Sequence, residues 1–191
     1  DFEYYARYVI NEFKNKVKYW TTINEQSIIV QFIDQKCYIP EKYKGNNQIR
    51  YQINHHMNLA HATACKLVHE LVPNGLVGSA IGYAPVYPLT SKPEDVMAAQ
   101  NANDLHNQFY LDIYFKGHYT KSAMIYLEKT GMAPKIEPGD MELIKEGYSD
   151  FLALNYYASE CAKACPEGEG KEICFAGVNR SGKKGEMSGY E

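Results

Sequence analysis

Two short clusters carry residue types suited to proton transfer on a polar substrate. Asn24-Glu25 follows the aromatic and β-branched run Lys18–Ile23, and Asn155-Tyr156-Tyr157 follows the run Asp150–Leu154. A carboxylate at a strand end can give up and recover a proton, while an adjacent amide orients a substrate hydroxyl. An isolated glutamate is most often a solvated surface group. Glu25 is therefore singled out by its position, not by its type. Two further sets invite a metal reading and do not sustain it. His55, His56 and His61 recur at helical spacing, but no glutamate sits between them in an H-E-x-x-H pattern. Cys161, Cys165 and Cys174 cluster, but structural zinc wants four ligands with tighter cysteine pairs, and no histidine lies nearby. No metal is expected, and these thiols read as free groups in a loop.

The elements that must position the clusters follow from periodicity. Tyr5, Val9, Phe13 and Val17 recur at helical spacing, with Asp1 as a candidate cap. Lys18–Ile23 reads as a strand. Residues 28–47, with Pro40 and Gly45-Asn46-Asn47, read as a long, partly helical loop. A helix is expected from Ile53 to Val72, burying a stripe of Ile53, Met57, Ala60, Ala64, Leu67, Val68 and Leu71 and stopped by Pro73-Asn74-Gly75. Leu76–Ile81 reads as a second strand and Gly82–Pro88 as a loop. Ser91 reads as the cap of a long helix with Pro93 in its first turn and Glu94 and Asp95 facing its dipole. Further helices are expected at Lys121–Thr130 and after Pro138-Gly139-Asp140, before a third strand at Asp150–Leu154. From Ser159 the pattern decays into Gly, Lys, Glu and Ser.

Helices alternating with strands imply an α/β fold of parallel strands joined by right-handed crossovers. In such folds function gathers at the C-terminal ends of the strands, where both clusters fall. The 191 residues suggest about one domain. A 45% hydrophobic and 23% charged composition fits a folded chain with a core. A net charge of −3 argues against a general nucleic-acid or acidic-membrane binder. The 17 tyrosines suit half-buried walls and clefts, though each is by default a core-edge residue. No apolar run is long enough for a membrane span, and no secretory signal is visible. With 5 cysteines, an odd count, free thiols in a reducing cytoplasm are the expectation.

Several motifs in this order resemble one family. Val17–Gln26 looks like the acid/base motif of glycoside hydrolase family 1, and Asn54–Ala62 resembles the helix that follows it there. Asp150–Tyr157 resembles the family's sixth barrel strand. Pro85–Thr90 and Pro93-Glu94-Asp95 are most similar to the bacterial 6-phospho-β-glucosidase branch. The resemblance implies part of a (β/α)8 TIM barrel, with the strands here as barrel strands four to six and their helices. Residues 1–158 would be the central part of that barrel domain, and 159–191 a polar, disorder-prone loop region of the same domain. Glu25 would be the general acid/base of a retaining β-glycosidase, protonating the glycosidic oxygen and then deprotonating water. Asn24 would bind the hydroxyl next to the anomeric carbon, and Tyr157 would contact the nucleophile and the ring-oxygen region. Asn155 would position the acid/base side. The histidines would be packing residues behind the cleft. The implied partner is a small β-glycoside, plain or 6-phosphorylated, with no cofactor.

The departures shape the expectation too. Retention needs a second carboxylate about 5 Å from the first. The family's Thr-Glu-Asn-Gly-type motif that carries it is absent, and Glu186 and Glu191 lie in a polar tail without strand character. The chain thus reads as an internal fragment, inactive alone, of a glycoside hydrolase. The alternatives are a carbohydrate-binding pseudoenzyme or an inactive structural fragment. An open three-stranded piece should leave apolar strand residues such as Ile23 and Leu154 more exposed than core residues.

Overall fold

A computed structural model describes residues 1–36 and 39–165. The chain opens with α1 (Phe2–Phe13) and β1 (Tyr19–Asn24), then two short helices, α2 (Gln26–Gln31) and α3 (Ile33–Lys36). A 3-10 turn at Glu41–Tyr43 leads to α4 (Asn47–Leu71), β2 (Leu76–Tyr83) and β3 (Val86–Pro88). Then come α5 (Pro93–Asn103), a π-turn at Asp104–Gln108, α6 (Phe109–Lys116), α7 (Lys121–Lys129) and α8 (Asp140–Glu146). β4 (Phe151–Tyr156) and β5 (Glu160–Ala162) complete the described elements.

The three strands read from the sequence form one parallel sheet in the order β1-β2-β4. The sheet accounts for their residue types: β2, between its neighbours, is buried along most of its length, whereas β4 alternates half-buried and exposed. Val77 and Ile81 of β2 point to the helices, in two apolar clusters built from α1, α4, α6, α7 and α8. Gly78, Ala80 and Gly82 point to the other face. The register pairs Leu152 with Ser79 and Leu154 with Ile81, so both leucines share the helix-facing side. No helix among the described residues covers them: Leu154 is 52% exposed, as the open-sheet reading expected, and Ile23 is half-buried. Leaving the two leucines 37% and 52% exposed forgoes part of the stabilisation that full burial gives such a side chain, roughly 2 kcal/mol.

Several details differ from the sequence reading. α4 begins at Asn47, with Asn46 capping it through its side chain, which accepts from Ile49 N at 3.1 Å. Its apolar stripe is not its buried face in the first half. Asn54, His55, Asn58 and His61 are buried there, while Ile53, Met57 and Ala60 are half-buried. α5 is capped by Lys92, not Ser91. Residues 28–47 hold more helix than a loop, with α2 starting directly after Glu25. Two strands of three residues each, β3 and β5, pair in parallel where loops were expected. Of the polar region 159–191, residues 166–191 lie outside the described residues, as do Cys37, Cys174, Glu186 and Glu191. Cys65, Cys161 and Cys165 are free.

Candidate functional site

A β-bulge sets the geometry of the site. Thr21 pairs with Gly78 and Asn24 with Ala80, so β1 uses one residue more than β2 over this stretch. A bulge re-aims the side chains beyond it. It turns Asn24 onto the face shared by Ala80, Ala153 and Asn155, which strict alternation from Thr21 would have denied it. Small residues on β2 leave that face open between the outer strands. Asn155 reaches across it and donates through Nδ2 to Asn24 Oδ1 at 2.8 Å and to Glu25 Oε1 at 3.1 Å.

Glu25 itself sits in the left-handed region, with φ 54° and ψ 45°. A non-glycine residue there is strained, and such strain persists only where the surroundings impose it. Its N–H donates to Ala80 O at 2.7 Å, and its carbonyl accepts from Ile29 N at 3.0 Å. The chain thus leaves β1, turns sharply and enters α2 within one residue. Gly82 lets α2 pack close against β2: a Cβ there would lie 2.8 Å from Ile28 Cδ1, so the Ile28 side chain would have to shift. Tyr157, 56% exposed, donates its hydroxyl to Glu25 Oε1. That bond holds the Tyr157 phenol above its ordinary range, because losing the proton would place a phenolate against the carboxylate.

The four residues expected to form the site are therefore together: Asn24, Glu25, Asn155 and Tyr157 form one hydrogen-bonded group at the C-terminal ends of β1 and β4. The resemblance implies that Tyr157 contacts the nucleophile and the ring-oxygen region; among the described residues its hydroxyl donates to Glu25.

Behind the group is a buried polar layer, of which the sequence reading singled out only the histidines, as packing residues. Gln26 is 0% exposed and donates through Nε2 to Asn54 Oδ1 at 2.7 Å, Asn58 Oδ1 at 2.6 Å and Asn54 O at 3.2 Å. Its Oε1 accepts from the Tyr114 hydroxyl at 2.8 Å. Asn58 continues to the Tyr119 hydroxyl at 3.1 Å, which meets His55 Nδ1 at 2.7 Å. His55 Nε2 then meets Asp140 Oδ2 at 2.9 Å, and this bond holds the Asp140 carboxyl below the usual range. His61 ties β1 to the entry of β4, with Nδ1 2.7 Å from Thr22 Oγ1 and Nε2 3.1 Å from Ser149 Oγ. Burial pushes its pKa down to about 4, so it is neutral, and pushes the Cys65 thiol beside it up to about 12. His56, expected with the other two behind the cleft, is exposed instead. The signal for this layer was present: Asn54 and Asn58, four apart, share one helix face.

Among the described residues, no group of three His, Cys, Asp or Glu gathers to hold a metal. No helix among them is long and apolar enough to cross a membrane. What the arrangement offers chemically is a single carboxylate with amide and phenol donors. That set can hold a proton in place and polarise a hydroxyl or glycosidic oxygen.

Comparison with known proteins agrees with this picture. The sequence model described as glycosyl hydrolase family 1 matches residues 1–184. Aryl-phospho-β-D-glucosidase BglC of Bacillus subtilis (strain 168) is 37% identical over 188 residues, covering 97% of this chain and 38% of the relative. The 6-phospho-β-glucosidase AscB of Escherichia coli (strain K12) is 38% identical over 165 residues, covering 85% of this chain and 34% of the relative. In structure, the family 1 β-glucosidase from Thermotoga maritima superposes with a TM-score of 0.72 at 26% identity, covering 87% of this chain and 36% of that one. The chain thus spans little more than a third of the length of the curated relatives it matches.

Proposed function

The chain belongs to glycosyl hydrolase family 1, and from that premise we propose that it carries the acid/base half of a retaining β-glycosidase site. On this reading β1, β2 and β4 are barrel strands four, five and six. The observation that carries it is the Glu25 carboxylate at the end of β1, receiving hydrogen bonds from Asn155 and Tyr157 at the end of β4.

Each residue has a role on this reading. Glu25, protonated, donates to the glycosidic oxygen as the aglycone leaves. Ionised, it then takes a proton from the water that releases the sugar. Asn24 binds the hydroxyl next to the anomeric carbon, where hydrogen bonds strengthen in the transition state. Asn155 orients both Asn24 and Glu25, and Tyr157 lends its hydroxyl to the carboxylate side of the cleft. The second carboxylate, the nucleophile, comes from outside the residues described. Carboxylates suffice for this chemistry, so no cofactor is required. The substrate is a β-glucoside phosphorylated at the 6-position. Two relatives with phospho-β-glucosidase names support that choice.

The test is hydrolysis by the full-length enzyme of p-nitrophenyl β-glucoside, with and without a 6-phosphate. Turnover should favour the phosphorylated substrate, and Glu25→Gln should lower kcat/KM on an unactivated glycoside by about 100-fold or more. Equal turnover of both substrates overturns the phosphate preference. Undiminished activity in Glu25→Gln overturns the catalytic assignment. Sugar binding without any hydrolysis would favour a carbohydrate-binding pseudoenzyme instead.

A further inference from the structure

We infer that Gln26 is a positioning residue for Glu25: its buried amide, anchored to α4 and α6, holds the strained main chain that aims the carboxylate. The inference rests on the proposed acid/base reading and extends it to a residue that touches no substrate.

Three observations carry it. Glu25 has φ 54°, a conformation that side-chain-bearing residues avoid unless something outside them imposes it. The next residue is the most firmly anchored of the turn. The Gln26 side chain is 0% exposed, and both ends of its amide are paired, with Asn54 and Asn58 on α4 and with Tyr114 on α6. A primary amide buried in a core is costly unless its donors and acceptor are all met. Here the fit is complete, which makes the amide specific to one rotamer and one main-chain placement. An apolar side chain of the same size would fill the space and would not choose between placements. The anchor is the residue directly after Glu25, so freedom gained at Gln26 passes directly to Glu25. The Glu25 carboxylate is held only from the rim, by half-buried Asn155 and by Tyr157, which is 56% exposed, and no fully buried side chain anchors it among the described residues.

A purely structural Gln26 would lower the folded fraction and depress every substrate alike. A positioning Gln26 would hurt only the step that needs a well-aimed proton. Leaving groups separate the two. A phenyl 6-phospho-β-glucoside needs acid assistance to cleave, whereas its 2,4-dinitrophenyl counterpart leaves without it. In the full-length enzyme, Gln26→Met should lower kcat/KM on the phenyl substrate by ~100-fold and on the dinitrophenyl substrate by less than ~3-fold. Tyr114→Phe, which keeps the amide and removes one of its bonds, should act in the same direction by ~10-fold on the phenyl substrate alone. It serves if Gln26→Met does not fold. Equal losses on both substrates, or no loss on either, overturn the inference. Glu25→Ala is the separate control for the underlying reading. If it loses both substrates equally and added azide restores neither, Glu25 is not the acid/base, whatever Gln26 does.

Discussion

The polar groups behind Glu25 and those in front of it are built from similar residues in opposite environments. Behind, Gln26, Asn54, Asn58 and His61 are buried and bonded to one another or to β1, α6 and the entry of β4. In front, Asn155 and Tyr157 hold the carboxylate from the rim of the sheet, with Asn24 bonded to Asn155, and Asn24 and Tyr157 are exposed there. A hydrogen bond in the interior is strong and costly to break, because no water replaces the lost partner. One at the rim exchanges readily with solvent or ligand. The back therefore fixes where the main chain goes, and the front leaves the carboxylate able to trade partners. On the proposed acid/base reading, a site that releases Glu25 to a substrate oxygen needs both properties.

The largest break in this contrast should come from acid. His61 and His106 are both buried with pKa values pushed down to about 4, against 6.5 for a free histidine. Gln31 Nε2 lies 2.8 Å from His106 Nδ1, and Nε2 of that ring has no partner among the described residues. Folded pKa values below the unfolded ones mean that the unfolded chain binds more protons across that window. Stability is then full above about pH 6.5 and lost as pH falls toward about 4, by about 3 kcal/mol per histidine. Urea unfolding at stepped pH reads this directly. Proton uptake on unfolding should fall by about one in His61→Gln, and a flat profile between those pH values would refute the buried, neutral assignment.

Next in size is Asn58→Leu. It deletes an acceptor of Gln26 and the donor to Tyr119, leaving buried groups unmet. We expect a loss of about 2 kcal/mol in urea unfolding. A loss below about 0.5 kcal/mol would mean that the layer behind Glu25 has slack, and the contrast with the rim would blur.

How much of this was legible in the sequence depends on which side of Glu25 is considered. The three strands, their parallel order and the four residues at the rim were readable. Strands announce themselves by short aromatic, β-branched or apolar runs, and the rim residues follow those runs directly. The buried layer was missed: Asn54 and Asn58, four apart, mark a shared helix face, but nothing local says that this face is the buried one. Periodicity arguments assign the apolar stripe of a helix to the core, and on α4 that picks Ile53, Met57 and Ala60. The structure buries Asn54, His55, Asn58 and His61 instead, because each finds a partner from another element. Such partners lie as far as 88 residues away in sequence, beyond the reach of local pattern. β3 and β5 escaped for a different reason: three residues are too few to show alternation. The left-handed turn at Glu25 also has no signal, since glutamate is not a residue that favours it.

At the rim the expected effects on stability shrink. Asn155→Ala removes bonds at 2.8 and 3.1 Å but strands no buried partner, since Asn24 is exposed. Stability should change by less than about 0.5 kcal/mol, while kcat/KM of the full-length enzyme falls by about tenfold or more. A stability loss as large as that of Asn58→Leu would show the rim to be part of the interior after all.

The smallest effect sharpens the contrast without touching stability at all. The Tyr157 phenol titrates above its ordinary range chiefly because its hydroxyl donates to Glu25, with burial and the carboxylate's charge adding to the shift. Glu25→Gln removes the charge and replaces a carboxylate acceptor with an amide. The Tyr157 titration, followed by the Cζ chemical shift in tyrosine-labelled protein, should then move down toward about 10. The sign follows from the charge: a neutral neighbour no longer penalises the phenolate. High salt should produce part of the same downward movement in the unsubstituted protein, because an exposed pair is screened. The buried bond between Tyr114 and Gln26 offers the internal reference. It involves the same phenol chemistry, but burial pushes the Tyr114 phenol far above its ordinary range, so it should stay protonated, with or without salt, across the range in which Tyr157 titrates. If both tyrosines respond to salt alike, the carboxylate side of Glu25 is as enclosed as its main chain, and the division between back and front fails.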